Sequence, residues 1–399
     1  VSLIASLPLP VSGSRFRVVY QVLGGDASNE TATARARAED ICVEETIEYP
    51  PELIPKGGIR EHVLGRVESF EPSGVGRYQV VISYADETSG YELPQLINVI
   101  FGNISMKPGI RVLALELSGP LLAHFKGPRF GVQGIRERLG VFERPLLTTA
   151  TKPMGLSATQ LAGMAHQLAL GGIDIIKDDH GLGNQPFAPF KERVMRTLEA
   201  IANANAHTGL RTLYMPNVTG PFEDMLERIH FAKEAGADGL MLIPGLCGLD
   251  FMRRVAEDDA ISLPMISHPA FIGSYVLDPG FGISHFVLHG QFMRLAGADL
   301  SIIPNYVGRF ASYTREDCAN VARGCLSPMG QFKPIFPAPG GGIEPDSFED
   351  MLKVYGPDVA FLMSSNLHRE SPDLAGTVKR LRETLENLAP RSLPNERPA

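Results

Sequence analysis

Gly171-Gly172-Ile173-Asp174-Ile175-Ile176-Lys177-Asp178-Asp179-His180 runs from a glycine pair through a short apolar stretch into a lysine, two aspartates and a histidine. Residues 173–177 have the length and composition of a buried strand. Crowding so many ionisable groups at the tip of such a strand costs free energy unless they pair or bind a cation.

The same texture recurs on both sides of this stretch. Short apolar runs at 146–150, 173–177, 212–217, 240–244, 264–268, 300–304, 334–337 and 360–363 alternate with amphipathic stretches. These lie at 158–170, 189–208, 222–235, 249–257, 286–296, 314–326, 346–355 and 374–388. Eight strand–helix pairs in succession predict an α/β chain whose residues 144–388 form a (β/α)8 TIM barrel. Barrel active sites gather at the C-terminal ends of the strands. Here those ends carry Lys152, Lys177, Asp178, Asp179, His180, Asn217, His268, Asn305, Gly340-Gly341-Gly342 and Ser364-Ser365-Asn366.

Residues 1–143 read differently. Strand-like alternation at 16–23 (FRVVYQVL), 65–70, 78–83 (YQVVIS) and 110–117 (IRVLALEL), with a helical stretch at 93–101, predicts an N-terminal ferredoxin-like α+β domain. The Pro/Arg-rich tail, 389–399, reads as disordered. Two domains suit a length of 399 residues.

Composition narrows the class. With 44% hydrophobic and 21% charged residues the chain is globular, and a net charge of -8 without a basic run argues against a nucleic-acid partner. No apolar stretch approaches the roughly 18 residues that span a bilayer. Val1 to Pro10 is apolar but lacks a basic start and a cleavage site, so no signal peptide is expected. Cys42, Cys247, Cys318 and Cys325 form no C-x-x-C pair and suit the reduced thiols of a cytoplasmic protein.

Asp179 and His180 are adjacent in a turn, where both can face one ion. An ammonium cannot bind a cation, but CO₂ converts a lysine to a carbamate, an anionic oxygen donor, and oxygen-rich ligation suits Mg²⁺. The residues alone leave a salt-bridge cluster at the barrel rim as the other reading. His285 and His289 share a helix face at i, i+4, without a carboxylate signature beside them. Residues 273–282 (GSYVLDPGFG) read as a loop over the barrel mouth.

From residue 15 to 388 the chain resembles the large subunit of ribulose-bisphosphate carboxylase, and in particular its non-carboxylating RuBisCO-like (type IV) relatives. GGIDIIKDDHGLGNQPF, 171–187, looks like that family's metal motif. The resemblance implies one Mg²⁺ per subunit held by carbamylated Lys177, Asp179 and His180, the last standing where the family has glutamate. Lys152, in Ala150-Thr151-Lys152-Pro153-Met154, matches the lysine that handles protons, although Met154 stands where the carboxylase has a second lysine. His268 matches a histidine near the metal, and Asn217 with Thr219 a strand-three motif. Glu44 and Asn103 resemble residues lent to the neighbouring subunit's barrel, which implies a homodimer with its active site at the subunit interface.

Departures from the carboxylase pattern carry as much information. Pro269 and Ile302 replace an arginine and a histidine of one phosphate clamp. Arg309 falls on the mobile lysine of the sixth loop, and Gly340 on a serine. Charge-assisted phosphate contacts are worth about 1.5–3 kcal/mol each, so tight bisphosphate binding and RuBP carboxylation are not expected. Gly340, Gly341, Gly342, Ser364 and Ser365 retain a place to cradle one phosphate. The resemblance therefore implies a metal-assisted isomerase or lyase of a sugar monophosphate, of the 5-methylthioribulose 1-phosphate isomerase type, with Lys152, Lys177 and His268 catalytic. Pro269, Phe271, Ile302 and Ile303 would line a pocket for an apolar methylthio end. Three alternatives stand beside it: cleavage or transcarboxylation of a 3-oxo sugar-acid phosphate (3-oxo-isoapionate 4-phosphate type), enolisation of a diketo-methylthiopentyl phosphate, and a non-catalytic stress or sensing protein.

Overall fold

A computed structural model describes residues 9–25, 29–54 and 57–388. The tail from 389 lies outside the described residues. The chain divides into two compact units, one running up to Lys126 and including 272–295 and 329–331, the other comprising 127–271, 296–328 and the residues from 332 onward.

In the first unit, β1 (Arg15–Leu23), α1 (Glu30–Glu44), β2 (Arg66–Gly74), β3 (Arg77–Ala85), α2 (Leu93–Phe101) and β4 (Ile110–Glu116) follow one another, and a single turn, α3 (Gly119–Leu122), comes after them. The strands lie in the order β4-β1-β3-β2, all antiparallel. That is the βαββαβ ferredoxin-like arrangement expected from the sequence. Phe16, Val18, Tyr20 and Val22 of β1 bury completely, as period-2 alternation requires. A short strand, β10 (Gly282–Ile283), adds to β4 in parallel. The helix expected at 286–296 is a π-helical turn, Phe286–Gln291, followed by α10 (Phe292–Leu295), and both belong to this unit.

The second unit begins with α4 (Gly131–Leu139) and continues with β5 (Leu146–Thr151), α5 (Ala158–Leu170), β6 (Ile175–Asp178), α6 (Phe190–Thr208), β7 (Leu213–Met215), α7 (Phe222–Glu234) and β8 (Leu240–Leu242). After α8 (Pro244–Cys247) and α9 (Leu249–Glu257) come β9 (Met265–Ser267), β11 (Leu300–Pro304), α11 (Arg315–Leu326), β12 (Phe336–Gly340), α12 (Phe348–Tyr355) and β13 (Ala360–Leu362). Two helices, α13 (Ser365–Glu370) and α14 (Leu374–Leu388), finish it. The eight strands pair in parallel in the order β7-β6-β5-β13-β12-β11-β9-β8, and a bridge between Asn217 and Met241 joins the two ends of that row. This is the (β/α)8 barrel.

Its interior is a single apolar cluster to which all eight strands contribute: Leu146, Ile175, Met215, Met241, Ile266, Ile302, Ala338 and Leu362 among them. Val132, Ile135 and Leu139 of α4 complete the cluster. Counting in twos along each strand from these positions reaches the polar tips. Leu146 leads to Lys152, Ile175 to Lys177, Met215 to Asn217, Ile266 to His268, Ala338 to Gly340 and Leu362 to Ser364. One face of the sheet thus carries both the core and the candidate site. By the same rule Ile303 points out to the helical layer, while Ile302 faces inward.

The opposite end of the barrel carries a repeated clasp. Asp174, Asp238 and Asp299 each stand two residues after a glycine of positive φ, namely Gly172, Gly236 and Gly297. Each donates its backbone N–H to the carbonyl of a residue on the preceding strand and accepts that residue's N–H on its carboxylate. The pairs are Asp174 with Leu147, Asp238 with Tyr214 and Asp299 with Met265, at 2.7–3.0 Å. A fourth Gly-x-Asp, Gly356-Pro357-Asp358, turns its carboxylate to Arg136 of α4 at 2.8 Å instead. Asp174 alone adds a buried bidentate pair with Arg144, at 2.6 and 2.8 Å.

Removing one partner of a buried ion pair costs about 3–5 kcal/mol, against about 1–3 kcal/mol for an unsatisfied neutral group. Asp174→Ala is therefore expected to lower the midpoint of urea unfolding distinctly more than Asp238→Ala, whose nearest cation, Arg211, is exposed and 3.8 Å away. Equal shifts would show that the clasp alone, without Arg144, sets the stability of that end.

Candidate active site

At the tip of β6, Lys177 is buried at 3% exposure and its Nζ donates to the Asp178 carbonyl at 3.0 Å. Burial, aided by the positive charge of Lys152 and opposed by Asp179 and Asp178, lowers its pKa to about 8. Lys152, two residues beyond the inward-facing Ala150 of β5, places Nζ 3.0 Å from Asp179 Oδ2. Burial works against ionisation of Asp179, but the Gly181 N–H, Lys152 and Lys177 together hold its carboxyl below the usual range.

His180 and His268 stack almost in parallel, with ring centroids 4.4 Å apart and planes at 12°. His180 Nδ1 lies 3.4 Å from Asp179 Oδ1. Burial is the main cause that lowers the pKa of both imidazoles; His268, close to Lys177 and His180, is pushed to about 2. Five side chains from three strand ends therefore converge: Lys152, Lys177, Asp179, His180 and His268.

Asp178 takes the opposite direction, as alternation dictates. Fully buried, it accepts Arg193 Nε at 3.2 Å, the Tyr214 hydroxyl at 2.8 Å and the Asn217 N–H at 3.1 Å. Arg193, on α6, also donates to the carbonyls of Gly183 and Ala188. The Asn217 amide donates to the carbonyls of His180 and Leu182, both at 3.1 Å. The loop that presents Asp179 and His180 is thus tied down by two side chains, Arg193 and Asn217. Nothing in the sequence reading gave Arg193 or Tyr214 a part; an arginine at 0% exposure is a signal that only burial reveals.

The glycine and serine loops lie close to one another. Gly341 and Gly342 hold φ of 98° and 118°, conformations that other residues rarely adopt. Arg309 donates its backbone N–H to Gly341 O at 2.8 Å, and its guanidinium sits 5.1 Å from the Phe310 ring. Asn366 Nδ2 donates to Ile343 O at 2.8 Å, joining the loop after β12 to α13, which Ser364 and Ser365 begin. Phe271 stands at the end of the turn after β9 with φ of 73° and its side chain exposed.

Glu44 and Asn103 belong to the first unit, where Asn103 Nδ2 donates to Glu44 Oε1 at 3.1 Å and Lys107 Nζ lies 2.5 Å from Glu44 Oε2. These two bonds, Lys107 first, hold the Glu44 carboxyl below its ordinary range. Glu45 accepts the N–H groups of Gly102 and Ile104 and fixes the turn that carries Asn103. His285, the residue before the π-helical turn of that unit, and His289 within it are both buried and stack with centroids 5.7 Å apart. Among the described residues no three His, Cys, Asp or Glu side chains are grouped to hold a metal ion.

A barrel with ionisable side chains gathered at its C-terminal strand ends defines an enzyme of the TIM-barrel class. Residues 131–386 match the model of the ribulose bisphosphate carboxylase large chain, catalytic domain. The chain is 34% identical to the 5-methylthioribulose-1-phosphate isomerase of Rhodospirillum rubrum, across 88% of this chain and 91% of that one. It is 33% identical to the 2,3-diketo-5-methylthiopentyl-1-phosphate enolase of Bacillus pumilus, across 90% and 89%. The crystal structure of a Rubisco-like protein from Rhodopseudomonas palustris superposes with a TM-score of 0.84 at 35% identity, covering 95% of this chain and 99% of that one. The chain belongs to the ribulose bisphosphate carboxylase large-chain family, among its RuBisCO-like members. Among the described residues no helix is long and apolar enough to cross a membrane.

Arg193→Met leaves the Asp178 carboxylate buried without its cation, and a destabilisation of about 3–5 kcal/mol is expected. Tyr214→Phe removes only one hydroxyl donor and should cost about 1–3 kcal/mol. Chemical denaturation of both variants ranks them; a Tyr214→Phe loss as large as that of Arg193→Met would contradict the assignment of the charge pair as the main brace.

Proposed function

We propose that this chain enolises a sugar monophosphate with the aid of a divalent metal and returns the proton to a neighbouring carbon, as an isomerase of the 5-methylthioribulose 1-phosphate type. The observation that carries the reading is the convergence of Lys177, Asp179 and His180 with Lys152 and His268 at one end of the barrel. Relatives named as an isomerase and as an enolase of methylthio sugar phosphates support that chemistry.

The donor set fits a cation. Asp179 is held ionised, and the imidazole of His180, its pKa lowered by burial, keeps a nitrogen lone pair for ligation. The third donor is Lys177. Its buried amine loses a proton more readily than an ordinary lysine, and a neutral amine adds CO₂ to give a carbamate and release a proton. Carbamylated Lys177, Asp179 and His180 would then hold one Mg²⁺ per subunit. When bound, that ion supplies Lewis acidity to a carbonyl and its adjacent hydroxyl.

The chain's own residues do the rest. Lys152 Nζ lies beside Asp179; as the neutral amine it takes the proton from the carbon next to the carbonyl, and as the ammonium so formed it delivers that proton to the adjoining carbon. The Gly340-Gly341-Gly342 and Ser364-Ser365 loops take the single phosphate, with Arg309 beside them. Pro269 and Ile302 stand where the carboxylase has its second anion clamp. They leave an apolar end suited to a methylthio group, and RuBP carboxylation is not part of the proposal. Glu44 and Asn103 are offered to a partner subunit in a homodimer.

The test is turnover of 5-methylthioribulose 1-phosphate with Mg²⁺ and bicarbonate, followed by NMR. Lys177→Ala and prior chelation with EDTA are each expected to abolish turnover, and Lys152→Met to reduce it by about 10²–10⁴-fold. A Lys177→Ala enzyme of full activity would refute the metal scheme. The affinity for ribulose 1,5-bisphosphate is expected to be no higher than for a monophosphate of the same chain length; tighter bisphosphate binding in calorimetry would restore the second clamp.

A further inference from the structure

The loop between β11 and α11, residues 305–314, carries Arg309, and both of its ends are fastened to one helix. Asn305, three residues past the inward-facing Ile302, turns to the helical layer and is fully buried. There its Oδ1 accepts the Tyr355 hydroxyl at 2.9 Å and its Nδ2 donates to Met351 Sδ at 3.3 Å. Tyr306, the next residue, donates its hydroxyl to Asp350 Oδ2 at 2.6 Å, within the range of a charge-assisted bond. Asp350 also accepts Nη1 of Arg315, the first residue of α11, whose guanidinium sits 5.5 Å from the Tyr306 ring. Asp350, Met351 and Tyr355 all belong to α12.

These fastenings differ in strength. Arg315 and Asp350 are half exposed, and such an ion pair contributes little by itself. Asn305 and Tyr355 are buried, so an amide and a hydroxyl parted there would find no water to replace each other.

The middle of the loop lies on the glycine backbone after β12. Asn305 N–H donates to Gly340 O at 3.1 Å, Gly308 N–H to Asn305 O at 3.0 Å and Arg309 N–H to Gly341 O at 2.8 Å. A Cβ on Gly308 would stand 2.7 Å from Gly341 O, and one on Gly341 2.9 Å from the Phe310 ring. Neither glycine can gain a side chain without parting the two loops. The chain then runs from Gly342 through a short turn, Pro345–Ser347, into α12, so the helix that fastens the first loop also anchors the second.

We propose that Asn305 and Tyr306 are positioning residues for phosphate binding: they fasten the β11 loop to α12, so that Arg309 and the Gly341-Gly342 backbone form a preset anion cradle. Neither side chain touches the substrate. The role rests on the phosphate reading of these loops given above and is independent of the enolisation chemistry. If loosening the loop leaves the cradle assembled in about one molecule in ten, the apparent dissociation constant rises about tenfold, while a complex once formed reacts at the parent rate.

Tyr355→Phe and Tyr306→Phe each delete one hydroxyl and keep the ring; Tyr306 is half-buried and can lose its hydroxyl without threatening the fold. Inorganic phosphate, titrated calorimetrically, is expected to bind about tenfold more weakly to each variant than to the parent. KM for the sugar monophosphate should rise by the same factor, with kcat within about twofold of the parent. Hydroxyls that only stabilised the fold would lower the urea midpoint and leave the phosphate affinity of the folded protein alone. Unchanged phosphate affinity in both variants therefore overturns the proposal, as does a fall in kcat at constant KM.

Trypsin reads the loop without any ligand, because the Arg309–Phe310 bond lies in its middle. Cleavage there about tenfold faster in both variants, with other sites unaffected, supports the tether, since cutting follows the population of the open form; equal rates defeat it. Phosphate binding that responds to both substitutions, in a protein that turns over no sugar monophosphate, would sink the enolisation reading and leave the cradle standing.

Discussion

A β-strand can send only every second side chain into a barrel, and the rest of this site follows from that restriction. Because Ile175 is needed in the core, Lys177 must face inward, and Asp178 must face away. The outward aspartate then has to be paid for with a buried arginine, and Arg193 in turn takes the carbonyls of the following loop. The position of Asp179 and His180 is thus a consequence of strand parity two residues earlier, transmitted through one carboxylate.

Electrostatics at the strand tips has a similar economy. Lys152 and Lys177 share Asp179, so neither ammonium has a carboxylate of its own. The deeper lysine, at 3% exposure, is the one whose charge is least well supported. An amine that is buried, poorly compensated and next to a carboxylate differs from an ordinary surface lysine in the property CO₂ addition requires, a ready supply of the neutral form. The stacked imidazoles add no formal charge to this balance while both remain neutral.

Much of this was legible beforehand. Apolar runs of strand length alternating with amphipathic stretches were enough for the barrel, and polar residues at the run ends were enough for Lys152, Lys177, Asp179, His180 and His268. What escaped had weak or long-range signals. Helix α1 shows little amphipathicity because its buried face is made of Ala34, Ala38, Ile41 and Cys42, half of it alanine. Residues 286–295 keep a helical pattern but wind into a π-helical turn and join the first unit, which local periodicity cannot distinguish from a barrel helix. Arg193 and Tyr214 look like ordinary helix and strand residues until Asp178 is seen between them. Asn217 reads as a residue awaiting a ligand, yet its amide is spent on the loop carbonyls of His180 and Leu182.

The Gly-x-Asp clasps give the barrel a grain. They join β5 to β6, β7 to β8 and β9 to β11, and skip the seams between those couples. The smallest piece of this architecture that keeps its own fastening is therefore two strands with their helices, not one. A chain enlarged or shuffled by whole couples carries every fastening with it, whereas adding or losing a single strand–helix step would strand an aspartate at one edge.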